Sequence, residues 1–108
     1  MKMSIASFMK ITIQNNAEAI DVVMNGNLDT LAAEQVEPQI QELEKMVTKP
    51  MVIDCTALEY VASAGLRLLL RIRKAAKASG QDVTLLSVNE NVMEVLKVTH
   101  FDRMFAIR

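Results

Sequence analysis

The sequence predicts a single α/β domain in which helices pack against a mixed sheet of four to five strands. Three observations indicate this fold class. The chain has 108 residues, which is the size of one domain. Strand-like segments, with alternating or short continuous runs of apolar residues, alternate along the chain with helix-like segments, whose apolar residues recur every three or four positions. With only three glycines and two prolines in the chain, the connections must be short.

A hairpin opens the domain. Residues 8–14 and 19–24 each alternate apolar and polar side chains, the pattern of a half-buried strand. Asn15-Asn16 between them supplies the chemistry of a tight turn. We therefore predict two antiparallel strands, the second of which ends at Gly26-Asn27.

An interrupted helix follows the hairpin. Asp29 is a good N-cap, and apolar residues recur at helical spacing from Leu28 to Val47. Pro38 lies inside this stripe, and proline removes a backbone donor, so we predict a kink or a new helix start there. Lys49-Pro50 ends the helix.

Predicted strands and helices then alternate to the end of the chain. The predicted elements are a buried strand at 51–54, a helix from Ser63 to a stop at Ser79-Gly80, a strand at 83–88, a helix from an Asn89 cap to Val98, and an edge strand at 105–107. The resulting order is β-β-α-β-α-β-α-(β). The strands on either side of the Ser63 helix should be parallel, because a helical crossover joins them.

Charge, hydropathy and cysteine usage exclude several classes of function. Twelve Lys/Arg stand against thirteen Asp/Glu, a net charge of −1, so the chain has no excess charge to neutralise nucleic-acid phosphates. The longest uncharged run is seven residues, whereas a membrane-spanning helix needs about 18 apolar residues. One cysteine and one histidine exclude an internal disulfide and a structural zinc site. We expect no metal or other cofactor.

We expect no export signal in the N-terminal segment. Residues 3–9 include two serines and stop at Lys10, which is too short and polar for the core of a signal peptide. We expect a cytoplasmic protein with loosely held residues 1–7 and a domain that spans residues 8–108.

Ser63 has the most informative position in the chain. It lies nine residues after Asp54 and immediately before a helix, so we expect it to act as an N-cap on the rim where parallel strands end. Its neighbours Ala62, Ala64 and Gly65 are small, and the active site of another protein could approach the hydroxyl. A phosphate on this hydroxyl would meet the unpartnered N–H groups of the helix start. From the residues alone, a cap without further function remains the alternative.

The segment from Asp54 to Leu66 resembles the signature of STAS domains, and specifically of the bacterial anti-sigma factor antagonists. That signature reads Asp–apolar–Ser–x–Leu–x–Tyr/Phe–Ile–Asp/Ser–Ser–Ser/Ala–Gly–Leu, and it aligns with this sequence without a gap. Gly26-Asn27-Leu28-Asp29 is similar to the Gly-x-Leu-Asp that precedes the first helix of the family. The resemblance extends from about Phe8 to Ile107.

The resemblance implies a role in partner switching. In this family the unphosphorylated antagonist binds an anti-sigma factor that is also a serine kinase, and a serine phosphatase reverses the phosphorylation that weakens the complex. By position Ser63 is the phosphorylated serine, and Asp29 matches an aspartate of the partner-facing rim, where a simple N-cap role is equally open. The partner-binding residues implied by the match are Asp29, Ala62, Ala64, Gly65, Leu66 and Arg67. Ala62 and Ala64 depart from the Asp/Ser and the second Ser that are frequent in the family.

Two further features of the Ser63 helix bear on binding. Arg67, Arg71 and Lys74 form a basic stripe, which is either a solvated face or a surface that steers an acidic partner. Leu66 and Leu70 lie beside the core stripe and are expected to form an exposed apolar patch. We expect the free protein to be a monomer.

Other functions remain as alternatives. A STAS subunit that packs constitutively on a transporter or sensor complex would use Ser63 only as a cap, and binding of a nucleotide or lipid is a third option. A serine hydrolase built from Ser63, His100 and an aspartate comes last, because Val61-Ala62-Ser63-Ala64-Gly65 matches only half of a nucleophile elbow. We therefore expect a regulatory binding protein and not an enzyme.

Overall fold

A five-stranded mixed sheet forms the centre of the molecule. The structure, a computed structural model, describes residues 9–108, so the predicted loose segment at 1–7 lies outside the described residues. The elements are β1 (Met9–Asn15), β2 (Ile20–Leu28), α1 (Thr30–Gln35), α2 (Glu37–Met46), β3 (Met51–Val61), α3 (Ser63–Ala78), β4 (Val83–Leu86), α4 (Glu90–Val98), a 3₁₀ turn (Phe101–Arg103) and β5 (Ala106–Ile107). The predicted fold class is confirmed.

The strands follow one another across the sheet in the order β1-β2-β3-β4-β5. β1 pairs with β2 in antiparallel orientation, and β2, β3, β4 and β5 are parallel neighbours. The predicted hairpin and the parallel strands around α3 are therefore confirmed. All the parallel strands end on one edge of the sheet, and that edge carries the starts of α1, α3 and α4.

The core lies on one face of the sheet. Along β2 and β3 the residues Ile20, Val22, Met24, Met51 and Ile53 are completely buried, whereas their sequence neighbours are half-buried or exposed. α1 and α3 pack over these strands, and α2 packs against α3. The alternation that predicted half-buried strands thus reflects a sheet with one covered face.

The predicted break at Pro38 is confirmed. Val36 ends α1 and also precedes α2, and Pro38 lies in the first turn of α2. Proline is tolerated there because the first N–H groups of a helix have no acceptor within it.

Two strands are longer than the sequence predicts. β2 does not end at Gly26-Asn27 but runs to Leu28, since Gly26 adopts a φ of 117° that only glycine accommodates easily. β3 does not end at Asp54 but continues to Val61. Its pairing with β2 shifts register twice, after Asp54 and after Leu58, as at β-bulges, which carry an extra residue.

The first bulge is stabilised by its own side chains. The Asp54 carboxylate accepts hydrogen bonds from the Thr56 amide at 3.0 Å and from the Thr56 hydroxyl at 2.6 Å, and these bonds lower the pKa of Asp54. Beyond this point the buried residues are Cys55, Leu58 and Val61, three positions apart. The bulges therefore remove the two-residue period by which a strand is recognised in sequence.

Candidate functional site

The candidate site lies where β2 and β3 end side by side. Leu28 pairs with Val61 as the last residue of each strand, and the Ala62 amide donates to the Leu28 carbonyl at 2.9 Å. Adjacent strands are about 4.8 Å apart, so the residues that follow them, Asp29 and Ala62-Ser63, emerge next to each other. We call this surface the rim.

Ser63 is the first residue of α3 and is exposed. The prediction that it is the N-cap is wrong by one position. Ala62 is the N-cap, because it keeps an extended backbone and its carbonyl accepts the first helical bond, from the Leu66 amide at 2.9 Å. Ser63 therefore starts the helix without being its N-cap, and it is an exposed residue.

The start of α3 differs electrostatically from the starts of α1 and α4. Asp29 caps α1 by accepting from the Ala32 amide at 2.9 Å, as predicted, and Asn89 caps α4 by accepting from the Val92 amide at 2.8 Å. The 16-residue α3 has neither a side-chain cap nor an acidic residue in its first turn. The partial positive charge of this helix end is thus not compensated by a side chain of its first turn.

Gly65 and Leu66 support the rim from beneath, which corrects their assignment as partner-binding residues. Both are buried. A Cβ on Gly65 would lie 2.7 Å from the Leu28 Cγ and carbonyl oxygen, so glycine permits the close approach of α3 to β2. The predicted exposed patch at Leu66 and Leu70 is wrong, because α3 packs against α1, α2 and the sheet and needs an apolar face wider than one stripe.

The rim carries two exposed apolar side chains that sequence reasoning did not select. Leu31, in the first turn of α1, is 55% exposed, and Tyr60, near the end of β3, is 48% exposed. Tyr60 pairs in register with Asn27, two residues before Asp29. The available signals were that Leu31 falls off the buried stripe of its helix and that Tyr60 belongs to the matched motif. Both residues are therefore exposed close to the ends of the two strands that define the rim.

The predicted basic stripe is divided by ion pairing. Arg71 contacts the Glu37 carboxylate at 2.7 Å and the Glu44 carboxylate at 2.8 Å, which ties α3 to α2. The hydrogen bond from Arg71 lowers the pKa of Glu44. Arg67 and Lys74 are exposed. Of the three residues of the stripe, Arg67 is the one that lies next to the rim, one turn after Ser63.

Two other reactive side chains lie outside the rim. Cys55 is 2% exposed, and burial, with a smaller contribution from the Asp54 charge, raises its pKa to about 12. It is therefore a protonated core residue at neutral pH. His100 lies just beyond the C-terminal end of α4. Since α4 starts at the strand-end edge and is about 13 Å long, His100 is at the end of that helix away from the rim.

Residues 9–108 offer neither a metal-binding cluster nor a membrane-spanning helix. Residues 9–108 contain no group of three or more His, Cys, Asp or Glu side chains placed to hold a metal ion. None of the helices in this part of the chain has the length and apolar character to cross a membrane.

Comparison with known proteins gives consistent matches. The family model "STAS domain" matches residues 10–108. BtrV of Bordetella bronchiseptica, named as a candidate anti-sigma factor antagonist, is 25% identical over 99 residues, which is 92% of this chain and 85% of BtrV. A candidate anti-sigma factor antagonist from Thermotoga maritima has a structure with a TM-score of 0.79 at 24% identity, over 90% of this chain and 84% of that one.

A third relative was solved in a modified state. The phosphorylated form of SpoIIAA, a cell fate determinant of Bacillus, has a TM-score of 0.68 at 17% identity, over 92% of this chain and 91% of that one. The named relatives are regulatory binding proteins and not enzymes. Since the family model covers all but the first nine residues, the chain belongs to the STAS domain family.

Proposed function

We propose that this protein is an anti-sigma factor antagonist that binds an anti-sigma factor with serine kinase activity and is released when Ser63 is phosphorylated. The observation that supports this most directly is an exposed serine as the first residue of α3, a helix whose first turn has no acidic side chain. The relatives named as antagonists, and the existence of a phosphorylated form of SpoIIAA, support the same function. The protein would act in the cytoplasm, as a monomer when free.

The proposed modification is an ordinary phosphoryl transfer. The Ser63 Oγ attacks the γ-phosphorus of ATP, the bond to the β-phosphate oxygen breaks, and the hydroxyl proton is lost to a base of the kinase, leaving ADP. A serine phosphatase would restore the hydroxyl by transferring the phosphoryl group to water. The small side chains of Ala62 and Ala64 leave room for either active site.

The phosphate would alter the rim without unfolding the domain. It adds about −1.5 to −2 charges at neutral pH, and the N–H groups at the start of α3 can donate to its oxygens. The new charge would lie beside the Asp29 carboxylate, so the rim becomes strongly anionic. A partner surface that fits the neutral Ser63 hydroxyl would then be repelled by the negative charge, and binding would require the phosphate to lose its water.

The proposed interface combines apolar and charged side chains. Leu31 and Tyr60 supply exposed apolar area close to the ends of β2 and β3, and Asp29 and Arg67 supply charge. Aromatic residues at the centre of an interface commonly contribute most of its binding energy. Gly65 and Leu66 contribute indirectly, because they fix the position of α3 on β2.

The test is phosphorylation by an anti-sigma factor kinase from the same genome, with ATP and mass-spectrometric mapping. We expect one phosphate on Ser63 and none on Ser63→Ala. The matched control is Ser79→Ala, which removes an exposed serine at the other end of α3 and should be phosphorylated like the wild type. Phosphate at another residue, or binding of the kinase without any phosphorylation, would contradict the proposal and favour a constitutive STAS subunit.

A further inference from the structure

A second site lies at the opposite end of the sheet from the rim. A cavity of about 470 Å³ separates the last turns of α3 from the 3₁₀ turn and β5, at the edge where the parallel strands begin. Its lining includes Arg73, Lys77, Asp82, Arg103 and Phe105. Lys77 is 14 residues from Ser63 on the same helix, about 21 Å along its axis. The cavity is therefore independent of the proposed phosphorylation site.

The cavity is positively charged on a protein with a net negative charge. Three cations, Arg73, Lys77 and Arg103, line it, against the single carboxylate of Asp82. Neither of the two ion pairs within residues 9–108 includes any of these cations, since both belong to Arg71. The lining thus has a formal charge of +2, from three cationic residues and one acidic residue, whereas the whole chain has −1.

One of the cations is held in place by the backbone. The Arg73 Nε donates a hydrogen bond to the Met104 carbonyl, which joins α3 to the segment that leads into β5. This bond uses one of the five N–H donors of the guanidinium. The Nη nitrogens remain as a planar edge of the kind that contacts two oxygens of one anion at once.

The rest of the cavity offers apolar surface. Val83 and Phe105 are buried residues of its wall, and Met104 is 38% exposed at its side. Gly80 lies on the same wall, and no atom is within 4 Å of the position that a Cβ would take, so the space beside it is open. A ligand can therefore place an apolar group against the wall while its charged group meets the cations.

We propose that this cavity binds a small organic phosphate ester, with the phosphate held by Arg73, Lys77 and Arg103 and the organic group against Met104 and Phe105. Two guanidinium groups and an ammonium match the three oxygens and double charge of a phosphate monoester better than a carboxylate with one charge. The volume is within the range of small-molecule sites. The same phosphate chemistry also occurs in lipid headgroups, which the test separates.

The test is an NMR titration of ¹⁵N-labelled protein with phenyl phosphate, with inorganic phosphate as the comparison. We expect saturable shift changes in the amides of residues 80–83 and 103–106, tighter binding of phenyl phosphate than of inorganic phosphate, and weaker binding at higher salt. The double variant Lys77→Gln/Arg103→Gln should bind at least tenfold more weakly. Both positions are exposed, and circular dichroism checks that the variant is folded.

The matched control is Lys74→Gln, which removes an exposed cation of the same helix that does not line the cavity. It should bind like the wild type. If Lys74→Gln and the double variant lost the same affinity for phenyl phosphate, the binding would reflect general electrostatic attraction and the proposal would be overturned. Chemical-shift changes that do not saturate would also overturn it. Binding to vesicles that contain phosphatidic acid, without binding of phenyl phosphate, would also overturn it by assigning the cations to a membrane surface.

Discussion

Replacement of Gly65 by alanine tests how closely α3 must approach β2. The new Cβ would lie 2.7 Å from both the Cγ and the carbonyl oxygen of Leu28, whereas carbon atoms in contact prefer about 3.5–4.0 Å. Leu28 cannot move away easily, because it is completely buried and its carbonyl accepts the Ala62 amide. α3 would have to move outward by roughly 1 Å.

The expected cost follows from two opposing effects. Overpacking of a core costs about 1–3 kcal/mol, and alanine in place of glycine in a helix returns up to about 1 kcal/mol. Because one of the two clashing atoms is a backbone oxygen, we take the upper part of the overpacking range, about 2–3 kcal/mol, so that Gly65→Ala should be about 1–2 kcal/mol less stable than the wild type. In a domain of this size each kcal/mol lowers Tm by about 4–8 °C. Urea unfolding and calorimetry measure both quantities.

A double-mutant cycle identifies the contact responsible. Leu28→Ala removes the side-chain half of the clash, so the double variant Leu28→Ala/Gly65→Ala should be more stable than the sum of the single effects predicts. The same cycle with Gly80→Ala should be additive, because no atom lies near its added Cβ and the cost of alanine at its φ of 72° does not depend on the residue at position 28. If Gly65→Ala proved as stable as the wild type or more stable, the close approach would not constrain the rim and the reasoning would be refuted.

Three further predictions concern an ion pair, the buried thiol and the rim. Because Arg71 lowers the folded pKa of Glu44 below 4.5, Glu44→Gln should lose about 0.5–1 kcal/mol at pH 7, and urea unfolding should show the two proteins converging as the pH falls through the lowered pKa. Equal stability of variant and wild type at pH 7 would contradict this. Cys55 should resist alkylation until denaturant is added, and rapid labelling of the native protein would refute its burial. The free energy of unfolding should fall above pH 9, because the unfolded thiol ionises there and the folded thiol, with a pKa of about 12, does not. Cys55→Ala should lose that part of the pH dependence. Leu31→Ala and Tyr60→Ala should each weaken binding of the anti-sigma kinase at least fivefold, about 1 kcal/mol, in titration calorimetry, and unchanged affinity for both would remove them from the interface.

The features that the sequence predicts correctly are those that local chemistry determines. The Asp29 and Asn89 caps, the new helix at Pro38 and the hairpin all depend on local chemistry that acts within a few residues. β3 could not be predicted beyond Asp54, because its bulges replace alternation with a spacing of three. Bulges depend on pairing with β2, which is remote in sequence.

The candidate site shows the same division. The position of Ser63 at a helix start on the strand-end edge follows from the sequence, although the cap itself is Ala62. The burial of Leu66 and the pairing of Arg71 with Glu37 and Glu44 depend on how α3 packs against other helices. Tertiary packing of this kind has no local signature, so the exposed or buried state of a helix residue beside the core stripe could not be predicted.

The most direct test of the proposed switch is the affinity of the anti-sigma kinase for the protein before and after stoichiometric phosphorylation of Ser63. The proposal predicts a loss of at least tenfold, about 1.4 kcal/mol, with an unchanged circular dichroism spectrum. Ser63→Asp should reproduce the direction of the change, while Ser63→Ala and the matched control Ser79→Asp should bind like the unmodified protein. Equal affinity of the two forms for the kinase would contradict the central claim.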